Sequence, residues 1–251
     1  MHSSLFGHAP QQSAERFSLQ NPHMLKVQLG NGHPDHCLAR VGSMVAYQGA
    51  IDFDGNMRTG AEQQAAAATG EQLNLMRAQG TGTMWLANMA QSIHILDLDF
   101  EGLSIDGQYV LALDSSLSWN VVAIESAQSV AGAGAYNLDV TGNGKIAVMT
   151  SGKPLIMRAT PQQEVFADAD AVVAWSSRLN ISMQAQTTSR RIYSRRRGTG
   201  EGWNMAFSGD GYVVVQPSEM LPPVEFIGPS GLLASRGLGQ QGGVQGNTWG
   251  Q

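Results

Sequence analysis

Cysteine is nearly missing. Cys37 is the single one in 251 residues, so no disulfide can form within the chain, and its stability must come from packing. That usage fits a reducing compartment. Charge is sparse too. Asp, Glu, Lys and Arg make up 14% of the residues and the formal net charge is −5, which argues against a general nucleic-acid binder. No window approaches the roughly 18 consecutive apolar residues of a membrane-spanning helix. The stretch Met1 to Gln20 has no apolar core of signal-peptide length and carries His2, His8, Glu15 and Arg16, so no secretion signal is expected. The expected location is the cytoplasm, with the inner face of a membrane as the alternative.

Catalytic motifs are missing as well. There is no Gly-x-Ser-x-Gly, and Cys37 stands in no recognisable nucleophile setting. Gly142-Asn143-Gly144-Lys145 is a fragment of a phosphate loop. Asp139 stands where that loop needs another glycine, Ile146 where it needs Ser or Thr, and a strand follows instead of a helix. His33, Asp35, His36 and Cys37 crowd together, but strand alternation sends His36 and Cys37 to opposite faces. No partner cluster completes a metal site, and His2, His8, His23 and His94 stand alone. Asp97 with Asp99, and Asp168 with Asp170, are spaced for acid–base work. They read as solvated faces. No catalytic residue, metal ligand or cofactor is expected.

What the chain has is a core and many corners. Hydrophobic residues are 42% and glycines number 30, as expected of many short strands joined by tight turns. Residues 1–23 read as a polar leader, 24–227 as a single β domain with internal repeats, and 228–251 as a flexible Gly/Gln-rich tail. Near-alternation marks strands at Met24 to Leu29, His36 to Val41 and Met44 to Tyr47. Further strands run from Gln72 to Met76 and recur to Gln216. Thr59 to Ala68 is the one place for a short helix, with Ala65 to Ala68 as its best formers.

A phrase recurs three times: a Gly-x-Gly corner, then an alternating strand. It stands at Gly80-Thr81-Gly82, Gly142-Asn143-Gly144 and Gly209-Asp210-Gly211. A glycine corner suits a hairpin, because glycine reaches positive φ without steric cost. A shift of about 62 residues lays the first corner on the second. It also lays Val110-Leu111-Ala112-Leu113 on Val172-Val173-Ala174-Trp175. The third corner has no such strand after it, but Met44-Val45-Ala46-Tyr47 stands near the start. The expectation is that the chain ends meet, the first strands completing the unit that the last begin. Three similar antiparallel units would then surround a pseudo-three-fold axis. Closing a ring removes open strand edges.

Several blocks carry a family resemblance: Gly42 to Tyr47, Tyr136 to Thr150, Ala171 to Trp175, Gly200 to Trp203 and Phe207 to Gln216. Together they resemble the Altered Inheritance of Mitochondria protein 24 family, its bacterial branch most closely, over about Met24 to Gln216. The resemblance implies an all-β fold similar to the tryptophan RNA-binding attenuator protein. Mitochondrial members are linked to inner-membrane organisation, and the bacterial branch brings no established activity and no catalytic residues.

One local feature lies outside that pattern. Arg190, Arg191, Arg195, Arg196 and Arg197 surround Tyr193 in an otherwise acidic chain. Guanidinium groups favour bidentate contacts to phosphate or carboxylate, and polybasic segments gain roughly 1 kcal/mol per charge near anionic lipid. A solvated loop, or a contact with an acidic face of another subunit, is the plainer reading. The expected function is that of a non-enzymatic scaffold or interaction protein that self-associates, with Trp85, Trp119 and Trp175 as candidate contact residues. The alternatives are a peripheral binder of anionic membrane lipid or another polyanion through the arginine loop, and a small-ligand-binding or enzymatic β-barrel. A protein partner is the remaining possibility; nucleic acid is not expected.

Overall fold

A computed structural model describes residues 3–55, 74–123, 136–185 and 203–218, and two short strands beyond them. The body is Met1–Glu219; Met220–Gln251 is a separate unit, in which β17 (Phe226–Ile227) pairs β18 (Leu233–Ala234). The candidate helix Thr59 to Ala68, the arginine cluster and most of the expected tail lie outside the described residues. Helical structure among the described residues amounts to two 3-10 turns, Ser4–His8 and Gly107–Tyr109. The all-β expectation therefore holds there.

The body opens with β1 (Phe17–Asn21), β2 (Met24–Leu29), β3 (His36–Arg40), β4 (Met44–Asp54) and β5 (Leu75–Leu86). It continues with β6 (Ser92–Asp99), β7 (Leu103–Ile105), β8 (Val110–Asp114), β9 (Leu117–Ala123) and β10 (Tyr136–Thr150). The last six are β11 (Leu155–Ala159), β12 (Val165–Asp168), β13 (Val172–Ser176), β14 (Asn180–Ala185), β15 (Trp203–Ser208) and β16 (Gly211–Val215). Ladders between them are antiparallel. β12, β15 and β14 form one sheet; the others form a continuous larger one. β1 was read as part of the polar leader. Its alternation is masked by Ser18 and Gln20, but Phe17 is buried.

The glycine corners behave differently from expectation. Gly80-x-Gly82 and Gly142-x-Gly144 do not turn the chain; they lie inside β5 and β10. Only the third, Gly209-Asp210-Gly211, separates two strands, β15 and β16. Gly80 and Gly82 have φ of 141° and 155°. A Cβ at either would collide with the carbonyl oxygen of Ala50 or Gln48 on the neighbouring β4. Bare backbone is what lets two strands approach here. A glycine pair in a sequence does not distinguish a reversal from a close approach.

On either side of each corner the same partners recur. The halves before the glycines pair β3 with β5, β7 with β10, and β12 with β15. The halves after them pair β2 with β5, β6 with β10, and β11 with β16. On the other edge of those later halves stand β4, β8 and β13. Registers agree. Ala39 faces Met76, Ile105 faces Leu138 and Ala167 faces Met205, each partner four residues before its first glycine. Ala46, Ala112 and Ala174 face Trp85, Ala147 and Val214, each five residues after it. All three of these last ladders break register at the residue before the alanine, namely Val45, Leu111 or Val173. A bulge kept at one place is a device for bending the strand.

Each corner strand thus completes the strands before it. The expected meeting of chain ends is not found: β16 pairs β11 and β13, and β2 pairs β1 and β5. The core is divided accordingly. One cluster gathers Phe17, Val27, Met84, Leu111 and Met149; another gathers Val165, Trp175, Met205, Phe207 and Val213, with Trp175 and Phe207 ring centroids 5.5 Å apart.

Gly80→Ala should lower unfolding free energy by about 2 kcal/mol or more, because backbone must move. Gly7→Ala, where an added methyl meets nothing, should change it by less than about 0.5 kcal/mol. Urea titration of both variants measures the difference.

Candidate functional site

The clefts beside β2 and β6 define the site by contrast. β1 fills the first. Phe17 lies opposite Val27, and the Gln28 N–H donates to the Arg16 carbonyl at 2.8 Å, extending the ladder. Phe17 enters the first core cluster. The buried Arg16 guanidinium donates to the carbonyls of Pro34 at 2.5 Å and His36 at 2.7 Å. It also lies 3.1 Å from the Asp114 carboxylate, close in distance though not aligned as a hydrogen bond. A buried guanidinium needs such partners, because its desolvation costs several kcal/mol.

The second cleft has no such strand among the described residues. It is an open space of about 550 Å³ along Leu96, Asp97 and Leu98 of β6, with Ile156, Trp175 and Tyr212 across from them. Leu96 faces Ile146, four residues after Gly142, as Val27 faces Met84, four after Gly80. Leu96 therefore holds the position of Val27. By the same registers Ser176 holds the position of Asp114. Phe100, Ile156 and Tyr212 are all exposed around this cleft, and Asp97, Glu101 and Arg178 supply its charge.

The residues singled out in the sequence are dispersed. Lys145 of the phosphate-loop fragment pairs with Asp97 at 2.5 Å, and Asn143 donates to Asp99 at 3.0 Å. These are links between β10 and β6 at the surface, so Asp97 and Asp99 do not form an acid–base dyad. The Asp170 N–H donates to the Asp168 carboxylate at 2.9 Å, which closes a turn. Burial and then the Asp168 charge raise the Asp170 carboxyl. His36 Nδ1 is 2.8 Å from the Asp35 carboxylate, and that hydrogen bond is the main reason the Asp35 carboxyl is lowered. Cys37 points into the core instead. Among the described residues no group of three His, Cys, Asp or Glu is placed to hold a metal ion. Arg190, Arg191, Tyr193, Arg195, Arg196 and Arg197 lie outside the described residues. The tryptophans need correcting: Trp85 and Trp175 are buried, Trp175 against Phe207 in the second core cluster, and Trp119 is half-buried.

Sequence reasoning missed Arg16, reading it as leader, and missed a buried polar cluster. Tyr109 accepts from Gln216 Nε2 at 2.9 Å. Its hydroxyl is raised by burial and by the nearby Asp106 and Asp170 charges. Asp106 itself is raised by burial and caps the turn at Gly107, accepting from the Gln108 N–H at 2.9 Å. Arg40 Nε donates to the Val110 carbonyl at 2.8 Å. These groups satisfy one another and the backbone between sheets.

Paired sheets bent at glycines, with polar groups spent on backbone, define a β-framework protein. A family model described as mitochondrial biogenesis AIM24 matches residues 17–218: the chain belongs to that family. Family membership is the ground for treating it as non-catalytic. No curated protein matches it. Among solved structures it is similar to the crystal structure of protein SPYM3_0169 from Streptococcus pyogenes. The TM-score is 0.63 at 21% identity, covering 80% of this chain and 92% of that one. At that identity the likeness concerns the fold alone.

Burial pushes the Cys37 thiol from 9.0 up to about 12. The unfolded thiol ionises first, so the unfolded state binds fewer protons above pH 9 and stability falls from there to about pH 12. The folded protein should leave its single thiol unlabelled by a disulfide reagent at pH 8, and label fully in denaturant. Rapid labelling without denaturant would contradict that burial.

Proposed function

We propose that this chain is a non-enzymatic β scaffold that associates with copies of itself. In this reading the three sets of ladders are three similar units, and the axis about which such units repeat, in the manner of the tryptophan RNA-binding attenuator protein, is that of the assembly. One observation carries the reading. β3 of the first set lies on β8 of the second, and β7 of the second lies on β13 of the third. The corresponding outer edges of β12 and β4 have no ladder among the described residues. β8 is buried along its length, whereas β4 is exposed from Met44 to Ala50. Val45 is 52%, Tyr47 48% and Phe166 of β12 51% exposed. Unpaired apolar edges are templates for pairing with another chain.

A three-fold ring within one chain would require β12 to pair β4 of that chain. Since that ladder does not form, the reading gives the seam to a second copy and the axis to the assembly. The inner ladders supply its register. Ala39 faces Ala112 and Leu38 faces Leu113; Ile105 faces Ala174 and Ser104 faces Trp175. Ala167 of one copy then faces Ala46 of the next, and Phe166 faces Tyr47. Facing strand residues stand close enough for a disulfide. The doubly substituted Ala46→Cys, Ala167→Cys protein should form covalent multimers on oxidation, and Phe166→Asp should shift the assembly to monomer in size-exclusion chromatography with light scattering. A monomeric unmodified protein, or a cross-link confined within one chain, would sink the reading.

A second reading rests on the five arginines between β14 and β15, whose flanking residues Ala185 and Trp203 are paired. If the loop holds anionic lipid, vesicles containing phosphatidylserine should sediment the protein at low salt. Replacing Arg195, Arg196 and Arg197 with Ala should abolish that, since each charge contributes roughly 1 kcal/mol. No helix among the described residues is long and apolar enough to cross a membrane.

A further inference from the structure

We propose that the cleft between β6 and β11 is a binding site for an extended polypeptide strand of a partner protein, one in which a basic residue precedes a large apolar residue. The chain itself shows how such a cleft is filled. At the corresponding place beside β2, Arg16 and Phe17 form the start of an added antiparallel strand. Phe17 goes inward to the core and Arg16 goes to the carbonyls of Pro34 and His36. The registers carry each of these positions to the second cleft. Leu96 replaces Val27, Asp97 replaces Gln28, and Phe100 and Gly102 replace Pro34 and His36.

A guest strand laid on the outer edge of β6 would put its apolar residue opposite Leu96 and its basic residue opposite Asp97. Among the described residues β6 has one ladder partner, β10. At the start of the strand the Ile93 N–H donates to the Pro22 carbonyl at 2.8 Å, so the part of this edge from Ile95 to Asp99 is where a guest strand would lie. The far wall presents Ile156, which is 63% exposed, beside Tyr212. Apolar side chains left in water around a cleft are what an incoming apolar residue covers. Arg178 also lines the cleft and Asp97 is already paired with Lys145, so the carboxylate that would receive a basic guest residue is that of Glu101. Asp114, which faces Arg16 in the filled cleft, is replaced here by Ser176, so the basic residue of the guest relies on Glu101 and on backbone oxygens. Strand addition of this kind takes affinity from the main chain and specificity from alternate side chains. The proposal goes beyond the scaffold reading and does not depend on association through β4 and β12, because neither strand lines this cleft.

The probe is a fluorescent peptide with the sequence of residues 13–22, added to the full-length protein and followed by anisotropy. Saturable binding is expected. Ile156→Arg, which puts a like charge and bulk into the wall, should weaken it at least tenfold. Leu155→Arg, on the same strand and 59% exposed but outside the cleft lining, should leave it unchanged. A peptide with Asp at the Phe position should bind at least tenfold more weakly. Circular dichroism and the urea midpoint of both variants report whether they are folded. If Ile156→Arg unfolds the chain, Ile156→Ser serves in its place, with weakening again expected. Absence of binding at 1 mM peptide (~4 kcal/mol of affinity) would overturn the proposal. So would binding that Ile156 substitutions leave untouched, since the peptide would then be displacing β1 from its own cleft.

Discussion

β8 has a ladder on both edges, β10 along Val110 to Leu113 and β3 along Ala112 to Asp114. The side chains of β8 are buried on both faces, Leu111 and Ala112 in the first core cluster. The same holds for Val172–Ser176 between β16 and β7. Burying a backbone polar group without a partner costs as much as a lost hydrogen bond. Strands this deep are therefore possible only where each edge is covered. Much else in the fold serves that requirement. Beside β4, which runs along both halves of β5, the halves before and after the glycines meet β3 and β2 in turn. A bulge recurs at Val45, Leu111 and Val173, and the bare backbone of Gly80 and Gly82 lets β4 and β5 approach.

That requirement explains why polar side chains end up on the main chain. Arg16 and Arg40 both donate to carbonyls, and Gln216 joins Tyr109 to Ser218. A guanidinium spent this way is structural. The carboxylates tell the same story. Asp106 caps a turn, Asp168 closes another, and Asp97 answers Lys145 across a ladder. Among the described residues these groups are taken up by backbone or by a charge on the neighbouring strand. Among the described residues, the edges of β4 and β12 have no ladder, and apolar side chains are exposed there and around the cleft along β6.

Strand existence was largely legible. Met24–Leu29 alternates in sequence and forms β2, though its partners are β1 and β5 and not the last strands, and Val172–Ser176 is the short apolar run that a doubly covered strand requires. The internal repeat was legible from glycines and the Val-x-Ala strands, because each occupies a position where a larger or more polar residue would break packing. What those glycines do was not. The same three letters make a bend inside β5 and a separation between β15 and β16, and only the neighbouring β4 decides which. Arg16 looked like any residue of a polar leader, since nothing adjacent in the chain announces Asp114, which lies far along it. Trp175 looked available for contact because the chain alone does not say that β7 covers its strand.

Local composition settled the class of this protein. A chain with one cysteine, sparse charge, abundant glycine and alternating apolar residues packs as short strands, because alternation fixes which face each side chain takes. Its family is written in that order of blocks. Tertiary structure decided the pairing: which strand lies on which, which edges at β4 and β12 have no ladder among the described residues, and which cleft is filled by Arg16 and Phe17 while no described strand pairs the outer edge of β6. Backbone hydrogen bonding is the physical reason. Every residue except proline carries the same donor and acceptor, so the letters of a strand do not name the partner on its edge, and only the folded arrangement brings one there.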